Sequence, residues 1–231
     1  ATVNPITPWD WNWDGKQFEG PNSQNATASG DATTGVTMHS RHLLLIRHGQ
    51  YEFAQDDKDC HLTELGREQL AHTGRRLRQL NLPYERMVVS TMTRATESAE
   101  EIRKQLPRIS AESCELIREG APFPGEPPIP NWKPSEEEFR VDGQRIESAF
   151  KKYVHRAGAR QKADTFELFV CHANVIRYFI CRALQLPPEA WIRFSLDNGS
   201  ITWLTIRPNG RVSLRWLGNS GHMPPEKLSL S

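Results

Sequence analysis

The most constraining feature of the sequence is a run of four aliphatic residues, Leu-Leu-Leu-Ile, at positions 43–46. A strand of this composition has no polar face, so other elements must cover both of its faces. Residues 87–89 and 166–171 are mainly apolar in the same way. Strands buried on both faces are typical of parallel sheets, and such sheets need helices above and below them.

Helical segments alternate with these strands. Their apolar residues recur on one side, Thr63 and Ser135 are suitable N-caps, and Pro107 and Pro187 mark two of the ends. Residues 120–134 hold six prolines and show no periodicity, which indicates a structured loop or lid. The pattern predicts helices over residues 63–80, 91–106, 135–159 and 174–186, and a third strand over 112–117.

Near the end of the chain, the apolar runs 201–206 and 212–217 flank a Pro-Asn-Gly turn at 208–210, a strong signal for an antiparallel hairpin. The alternating elements before it predict an α/β fold of three layers, α/β/α, whose central sheet is mostly parallel with an antiparallel edge strand. A length of 231 residues suits one such domain, expected over residues 41–231, with an extension at 1–40.

The extension differs from the rest of the chain. Three of the seven tryptophans fall within one hexapeptide, and so short a polar segment cannot bury them in a core of its own. Residues 15–40, rich in Gly, Ser, Thr and Asn, are expected to form a flexible linker. We predict that the hexapeptide drives self-assembly and raises activity; the alternative is binding to a separate partner or a membrane surface. The hexapeptide consists of Trp9, Asp10, Trp11, Asn12, Trp13 and Asp14.

Composition argues against several functions. The chain has 29 basic and 28 acidic side chains and a net charge of +1, so it carries no electrostatic footprint for nucleic acid. Its four cysteines form no CxxC pair, which gives neither a zinc motif nor a disulfide framework. No apolar stretch reaches the roughly 18 residues that cross a bilayer. Because the chain starts at Ala1, we interpret it as processed or truncated, so that any N-terminal membrane anchor is absent from it.

Reactive residues follow the buried strands, at the sheet edge where parallel strands end and ligands bind. Arg47 and His48 come directly after the first strand. An imidazole can attack phosphorus if one ring nitrogen is free and a backbone carbonyl holds the other as N–H, and arginine can bridge phosphate oxygens. Arg94, in the first turn of a helix, and His172, after a later strand, join this set. The topology therefore predicts a phosphate pocket.

These motifs carry a resemblance to a known family. The Arg-His-Gly signature at 47–49, the segment 90–94 and the Thr-Glu-Leu-Gly segment at 63–66 together resemble the histidine phosphatase superfamily. Segments 118–122 and 131–134 are similar to the mitochondrial Ser/Thr protein phosphatases of the phosphoglycerate mutase family, and so is the Trp-rich hexapeptide. The resemblance covers residues 41–231.

The resemblance implies a protein Ser/Thr phosphatase that uses neither metal nor cofactor and forms phosphohistidine on His48. It implies that Arg47, His48, Arg94 and His172 form the catalytic phosphate pocket and that Glu119 is the general acid. It further implies phosphorylated Ser/Thr proteins as substrates, a homodimer that assembles through the hexapeptide into a larger homo-oligomer, and a mitochondrial location at the outer membrane.

Tyr51 departs from the pattern of the mutases, which carry a small hydroxyl residue at this position. The larger ring argues against mutase chemistry. Two alternatives stay open, a metabolic phosphomonoesterase or mutase for small phosphorylated acids and a non-enzymatic assembly scaffold. The intact set of five site residues argues against the scaffold, and turnover of 3-phosphoglycerate against a phosphoserine peptide separates the remaining two. The sequence does not decide whether phosphohistidine in other proteins is also a substrate.

Overall fold

A computed structural model describes residues 7–16, 39–158 and 160–230. Most of the predicted linker, residues 17–38, lies outside these ranges. Six strands form one sheet in the order β3-β2-β4-β1-β5-β6. The strands are β1 Arg41–Arg47, β2 Tyr84–Ser90, β3 Ser110–Cys114, β4 Thr165–Cys171, β5 Ile201–Ile206 and β6 Val212–Asn219, and the helices are α1 Glu64–Leu80, α2 Thr93–Arg103, α3 Glu136–Tyr153 and α4 Ala173–Ala183.

The sheet confirms the predicted fold class. Strands β1, β2, β3 and β4 are mutually parallel, while β5 pairs antiparallel with β1 and β6 pairs antiparallel with β5. Gly210, with φ of 85°, closes the β5–β6 hairpin in a conformation that favours glycine. The strand that breaks the parallel order is β5, which lies inside the sheet next to β1, and β6 forms the edge.

Helices cover both faces of the sheet, as the apolar strands require. On one face, α1 and α2 contribute Leu70, Leu77 and Ile102 to the core. On the other face, α3 and α4 contribute Phe150 and Phe179, among others. The residues of β1 alternate between these two cores and are all buried, which is why this strand contains no polar residue between positions 43 and 46.

Several predicted boundaries differ from the structure. The helices expected over 91–106 and 174–186 cover Thr93–Arg103 and Ala173–Ala183. The strand expected over 112–117 covers 110–114 and is followed by a single 3-10 turn, Glu115–Ile117. The helix expected to reach 159 ends at Tyr153. The Arg41 guanidinium donates hydrogen bonds to the backbone carbonyls of Tyr153 and His155, each at 2.9 Å. These carbonyls therefore have hydrogen-bond partners without a further helical turn.

The topology gathers the predicted site residues at one end of the sheet. Strands β1, β2 and β4 are neighbours and parallel, so His48, the Ser90 to Arg94 turn and His172 follow their carboxyl ends side by side. Among the described residues, no helix is both long and apolar enough to cross a membrane. The same residues contain no cluster of His, Cys, Asp or Glu suited to a metal ion.

Candidate active site

His48 follows β1 and is 2% exposed. Its Nδ1 lies 2.8 Å from the backbone oxygen of Gly49, and because a carbonyl can only accept, Nδ1 carries the proton. The lone pair of Nε2 then points into the pocket. Burial, followed by the charges of Arg94 and Arg47, holds the pKa of His48 well below its usual value. The ring is therefore neutral, which is the state that can act as a nucleophile.

Gly49 lets the backbone after β1 turn tightly against α1. A Cβ at this position would lie 2.4 Å from a side-chain carbon of Leu70 and 2.6 Å from the carbonyl oxygen of Gly66. The turn is fixed further by Ser98, whose Oγ accepts from Gly49 N–H at 3.1 Å, and by Asn198, whose Nδ2 donates to the His48 carbonyl at 3.2 Å. His48 thus stands on a rigid backbone.

Two buried arginines flank His48. Arg94, in the first turn of α2, donates from Nε to His48 Nε2 at 3.3 Å, and its guanidinium lies 4.7 Å from the centre of the Tyr51 ring. Arg47 donates from Nη1 to the carbonyl of Leu196. Burial lowers the pKa of Arg47, and the carboxyl of Glu119 opposes that shift. Both guanidiniums face the position where an anion would contact His48.

His172 immediately precedes α4 and is fully buried. Its Nε2 lies 2.7 Å from Ser90 Oγ at the end of β2, and its ring centre lies 5.2 Å from that of His48. Burial, then the neighbouring His48 and Arg94, hold its pKa well below the usual value. Its Nδ1 is buried without a hydrogen-bond partner in the described part of the chain. This nitrogen is available to a ligand.

Glu119 enters the pocket from the loop after β3. Arg145 of α3 fixes the backbone around it, donating to the carbonyls of Arg118 at 2.6 Å and Glu119 at 3.0 Å. Burial raises the pKa of Glu119, although Arg94 and Arg47 pull it down. A carboxyl group that holds its proton more tightly than usual can serve as a general acid.

The residues around His48 enclose a pocket of about 190 Å³. The structure brings the five predicted residues together, since Arg47, His48, Arg94 and Glu119 line the pocket and the ring of His172 lies beside that of His48, with ring centres 5.2 Å apart. Asn174 and Arg177 also line it and were not predicted. Their spacing of three residues near the start of α4 could have indicated them, because residues so spaced share a helix face. The full lining is Arg47, His48, Tyr51, Arg94, Glu119, Ala173, Asn174 and Arg177.

The proline-rich loop lies beside this pocket and also forms a groove of its own. Asn174 Nδ2 donates to the Gly120 carbonyl at 3.0 Å, and Trp191 Nε1 donates to the Phe123 carbonyl at 2.8 Å. Between Pro124 and Pro134 the loop encloses a larger, mostly apolar space of about 480 Å³. We place the chemistry in the smaller pocket, because the paired histidines and arginines converge there.

The Trp-rich hexapeptide packs at the other end of the sheet. Trp13 donates from Nε1 to the Gly210 carbonyl at 2.7 Å, and Asp14 forms a buried ion pair with Arg156. Gly210 follows β5, whose last residue Ile206 pairs with the first residue of β1. Since His48 follows the last residue of β1, its seven residues, about 20 Å, separate the two regions. In this arrangement the hexapeptide therefore lies away from the catalytic face.

With the geometry defined, comparison with known proteins identifies the family. The family model for the histidine phosphatase superfamily (branch 1) matches residues 43–122 and 123–218. This chain belongs to the histidine phosphatase superfamily. Each of the five predicted site residues lies within the matched segments, and the predicted family and fold class are confirmed.

Several curated histidine phosphatases match most of the chain. The mouse protein named "Serine/threonine-protein phosphatase PGAM5, mitochondrial" is 50% identical over 96% of this chain and 81% of its own length. The human protein of the same name is 48% identical over 96% of this chain and 80% of its own. A Caenorhabditis briggsae relative is 48% identical, covering 98% and 82%. These names confirm the predicted enzyme class, a phosphatase, and the predicted mitochondrial location.

Two solved structures share the fold. Phosphoglycerate mutase from Plasmodium falciparum superposes with a TM-score of 0.58 at 30% identity, covering 84% of this chain and 98% of its own. A protein titled "Mycobacterial hydrolase 2" gives a TM-score of 0.61 at 20% identity, covering 82% and 95%. The second likeness concerns the fold alone.

Proposed function

We propose that this chain is a protein phosphatase that removes phosphoryl groups from serine and threonine through a phosphohistidine intermediate on His48. The relatives named as serine/threonine-protein phosphatases, at 50% and 48% identity, support the substrate class. The observation that carries the mechanism is the state of His48. Its Nδ1 is held as N–H by the Gly49 carbonyl, while Nε2 faces Arg94 at 3.3 Å.

In the first step, the Nε2 lone pair of His48 attacks phosphorus and the bond from phosphorus to the seryl or threonyl oxygen breaks. Glu119 gives its proton to that leaving oxygen. The Arg94 hydrogen bond to Nε2 is exchanged for one to a phosphoryl oxygen as the substrate enters. Arg47 and Arg94 neutralise the equatorial oxygens, and the Gly49 carbonyl stabilises the imidazolium N–H that results. His172, whose ring centre lies 5.2 Å from that of His48, would complete the phosphate contacts.

In the second step, a water molecule attacks the phosphorus of phosphohistidine. Glu119, now a carboxylate, accepts a proton from that water, and the bond from phosphorus to Nε2 breaks. His48 returns to its neutral form and Glu119 to its protonated form, so the cycle closes without a cofactor. The arginines supply the positive charge that a metal ion supplies in other phosphatases.

The competing function on this fold is turnover of small phosphorylated acids. Tyr51 narrows the pocket, with its ring centre 5.3 Å from that of His48, and this favours an extended phosphopeptide side chain over a compact sugar acid. The test compares kcat/KM on a phosphoserine peptide and on 3-phosphoglycerate. We expect the peptide to be the better substrate, and a higher value for 3-phosphoglycerate would refute the proposed substrate class.

We further propose that the hexapeptide couples assembly to activity by binding a second copy of this chain at the site where it packs here. That site is specific, because Asp14 accepts from both the backbone N–H of Arg156, at 2.8 Å, and its guanidinium. Trp13 packs on Phe150 with ring centres 6.1 Å apart. Residues 17–38 provide a chain of up to about 70 Å when fully extended, which suffices to reach a neighbour.

Helix α3 offers a route between the two regions. Phe150, near its end, contacts the hexapeptide, while Arg145, on the same helix, fixes the backbone of Glu119. A shift of α3 on docking would therefore change the placement of the general acid. This coupling needs two arrangements of α3 with different affinities for the hexapeptide, and the variants described in the Discussion measure it.

A further inference from the structure

Arg177 lines the phosphate pocket and takes no part in the steps proposed above. It lies on α4, one turn beyond Asn174, and its Nη1 donates to the Asn174 side-chain oxygen at 3.3 Å. Its Nε is buried and has no hydrogen-bond partner in the parts of the chain that the structure describes. Arg182 on the same helix differs, because its Nε and Nη2 bond both carboxylate oxygens of Glu147, at 3.0 and 2.9 Å.

The charges of the pocket leave room for one more anion. Three arginines line it, at 47, 94 and 177. His48 and His172 are neutral because their pKa values are held well below the usual value. Glu119 is protonated when it acts as the acid. Asp57 lies 3.4 Å from Arg94 and 3.9 Å from Arg118, so it offsets one of the charges of these two arginines. A phosphate monoester brings close to two negative charges at neutral pH, so about one positive charge in and beside the loaded pocket stays unmatched.

A carboxylate fits this remaining charge in shape as well as in sign. The planar guanidinium donates in pairs to the two oxygens of a carboxylate, and Arg177 has donors not committed to the protein. Burial lowers the pKa of Arg177 and the carboxyl of Glu119 opposes that shift, which means that a nearby anion stabilises the charged form. Once Glu119 is protonated, the substrate must provide that anion.

We propose that Arg177 is a specificity-determining residue that binds an Asp or Glu side chain next to the phosphoserine or phosphothreonine of the substrate. The inference rests on the proposed protein phosphatase function and names its substrate class as acidic phosphopeptides. A small phosphorylated acid carries the same carboxylate beside its phosphate, so the experiment includes both sources.

The experiment measures kcat and KM on four substrates, which are two phosphoserine peptides that differ only in having Asp or Asn beside the phosphoserine, p-nitrophenyl phosphate and 3-phosphoglycerate. The enzymes are the unmodified chain, Arg177→Gln, Arg177→Lys and the control Arg140→Gln. Arg140 is an exposed arginine that pairs with Glu137 on the surface of α3.

For the unmodified chain, we expect kcat/KM to be about tenfold higher on the Asp peptide than on the Asn peptide, as for one charge-assisted hydrogen-bonded pair. Arg177→Gln should bring this ratio close to one, mainly through KM on the Asp peptide, and any loss on p-nitrophenyl phosphate should be much smaller than the loss on the Asp peptide. Arg177→Lys should keep an intermediate ratio, because lysine retains the positive charge but lacks the paired N–H donors of the guanidinium. Arg140→Gln should keep the full ratio.

Three results overturn the inference: equal use of both peptides by the unmodified chain, an unchanged ratio in Arg177→Gln, or a loss in Arg177→Gln on p-nitrophenyl phosphate as large as on the Asp peptide. The last result would make Arg177 a general phosphate or structural residue. If the unmodified chain turns over 3-phosphoglycerate better than either peptide, the proposed protein phosphatase function fails. If both peptides are turned over efficiently with equal kcat/KM, only the acidic preference is refuted.

Discussion

The two ends of the sheet differ in how their charges are matched. At the catalytic end, three arginines line a pocket to which one carboxyl group among the described residues, Glu119, contributes, and Asp57 pairs with Arg94 at 3.4 Å beside it. At the other end, the Asp14 carboxylate is met by the Arg156 guanidinium and by backbone N–H groups. Burial would raise the pKa of Asp14, but its hydrogen bonds from Arg156 and the backbone hold that pKa below its usual value.

The pocket around His48 has polar groups left for a ligand to bind, whereas the site around Arg156 is already occupied by the hexapeptide. At the catalytic end, His172 Nδ1 and Arg177 Nε are buried without hydrogen-bond partners among the described residues, as expected where a substrate supplies the missing contacts. At the other end, Trp9 Nε1 is the exception to an otherwise well-paired hexapeptide. A segment of this chain already satisfies the second site, so that site is suited to assembly and not to a changing substrate.

The largest effect is expected from His48→Ala. Loss of the nucleophile should lower kcat on the order of a thousandfold or more on both phosphopeptide and p-nitrophenyl phosphate, because no covalent intermediate can form. The control is His72→Ala, which changes a half-buried histidine of α1 that does not line the pocket. If His48→Ala keeps turnover within a few fold of the unmodified chain, the His48 end of the sheet is not the catalytic end.

Glu119→Gln should have the next largest effect, a loss of about a hundredfold in kcat/KM on phosphoserine peptides. The loss should be smaller on p-nitrophenyl phosphate, whose leaving group departs without a proton. Because burial raises the pKa of Glu119, the acid form persists above the ordinary pKa, and activity should fall as pH rises through the raised value. The variant should lack this pH limb, and the exposed control Glu115→Gln should keep it. Retention of the limb in Glu119→Gln would identify a different acid.

A smaller effect, about fivefold in turnover, is expected from breaking the hexapeptide site. Asp14→Asn, Arg156→Gln and the double variant should lower particle mass in light scattering and turnover to the same extent, since partners in one pair are not additive. A fall in mass with unchanged turnover would contradict the coupling but leave the assembly role intact.

Mixing two defective chains tests whether the hexapeptide binds another copy. One chain lacks residues 1–16 and keeps Arg156, and the other carries Arg156→Gln and keeps the hexapeptide. The mixture should regain mass and turnover above either chain alone, because the intact segment of one can occupy the intact site of the other. If nothing is regained, the hexapeptide acts only within its own chain.

Removal of metal ions should have no effect. The arginines supply the positive charge at the phosphate, so full turnover should persist after extensive treatment with a chelator. An inactive chelated enzyme that regains activity with magnesium or manganese would show that the mechanism is misassigned.

The catalytic end was more predictable from sequence than the other end, for a physical reason. Arg47 and His48 directly follow an apolar run that can only be a buried strand, and parallel strands bring such ends together. Glu119 follows an exposed edge strand, and its role rested on the resemblance to the family. Arg177 was missed because an arginine on a helix is usually solvated, and only the structure places it in the pocket.

The hexapeptide was recognised, but its position was not. Its contacts join residues that are far apart in sequence, and Trp13 and Gly210 are 197 positions apart. They depend on the antiparallel direction of β5, which returns the chain to the starting end of β1. The end of α3 likewise depends on contacts that are distant in sequence, the hydrogen bonds from Arg41 to the carbonyls of Tyr153 and His155. Contacts of this range follow from the assembled fold and leave no local signal.

The most direct test of the central claim is to trap the intermediate. A phosphoserine peptide with radiolabelled phosphate is mixed with the enzyme, the reaction is quenched within milliseconds in base, and the labelled residue is mapped. The account predicts label on His48 that survives base and is lost in acid, as for a phosphoramidate, and none in His48→Ala. Label on another residue, or turnover with no label on His48 at any quench time, would contradict it.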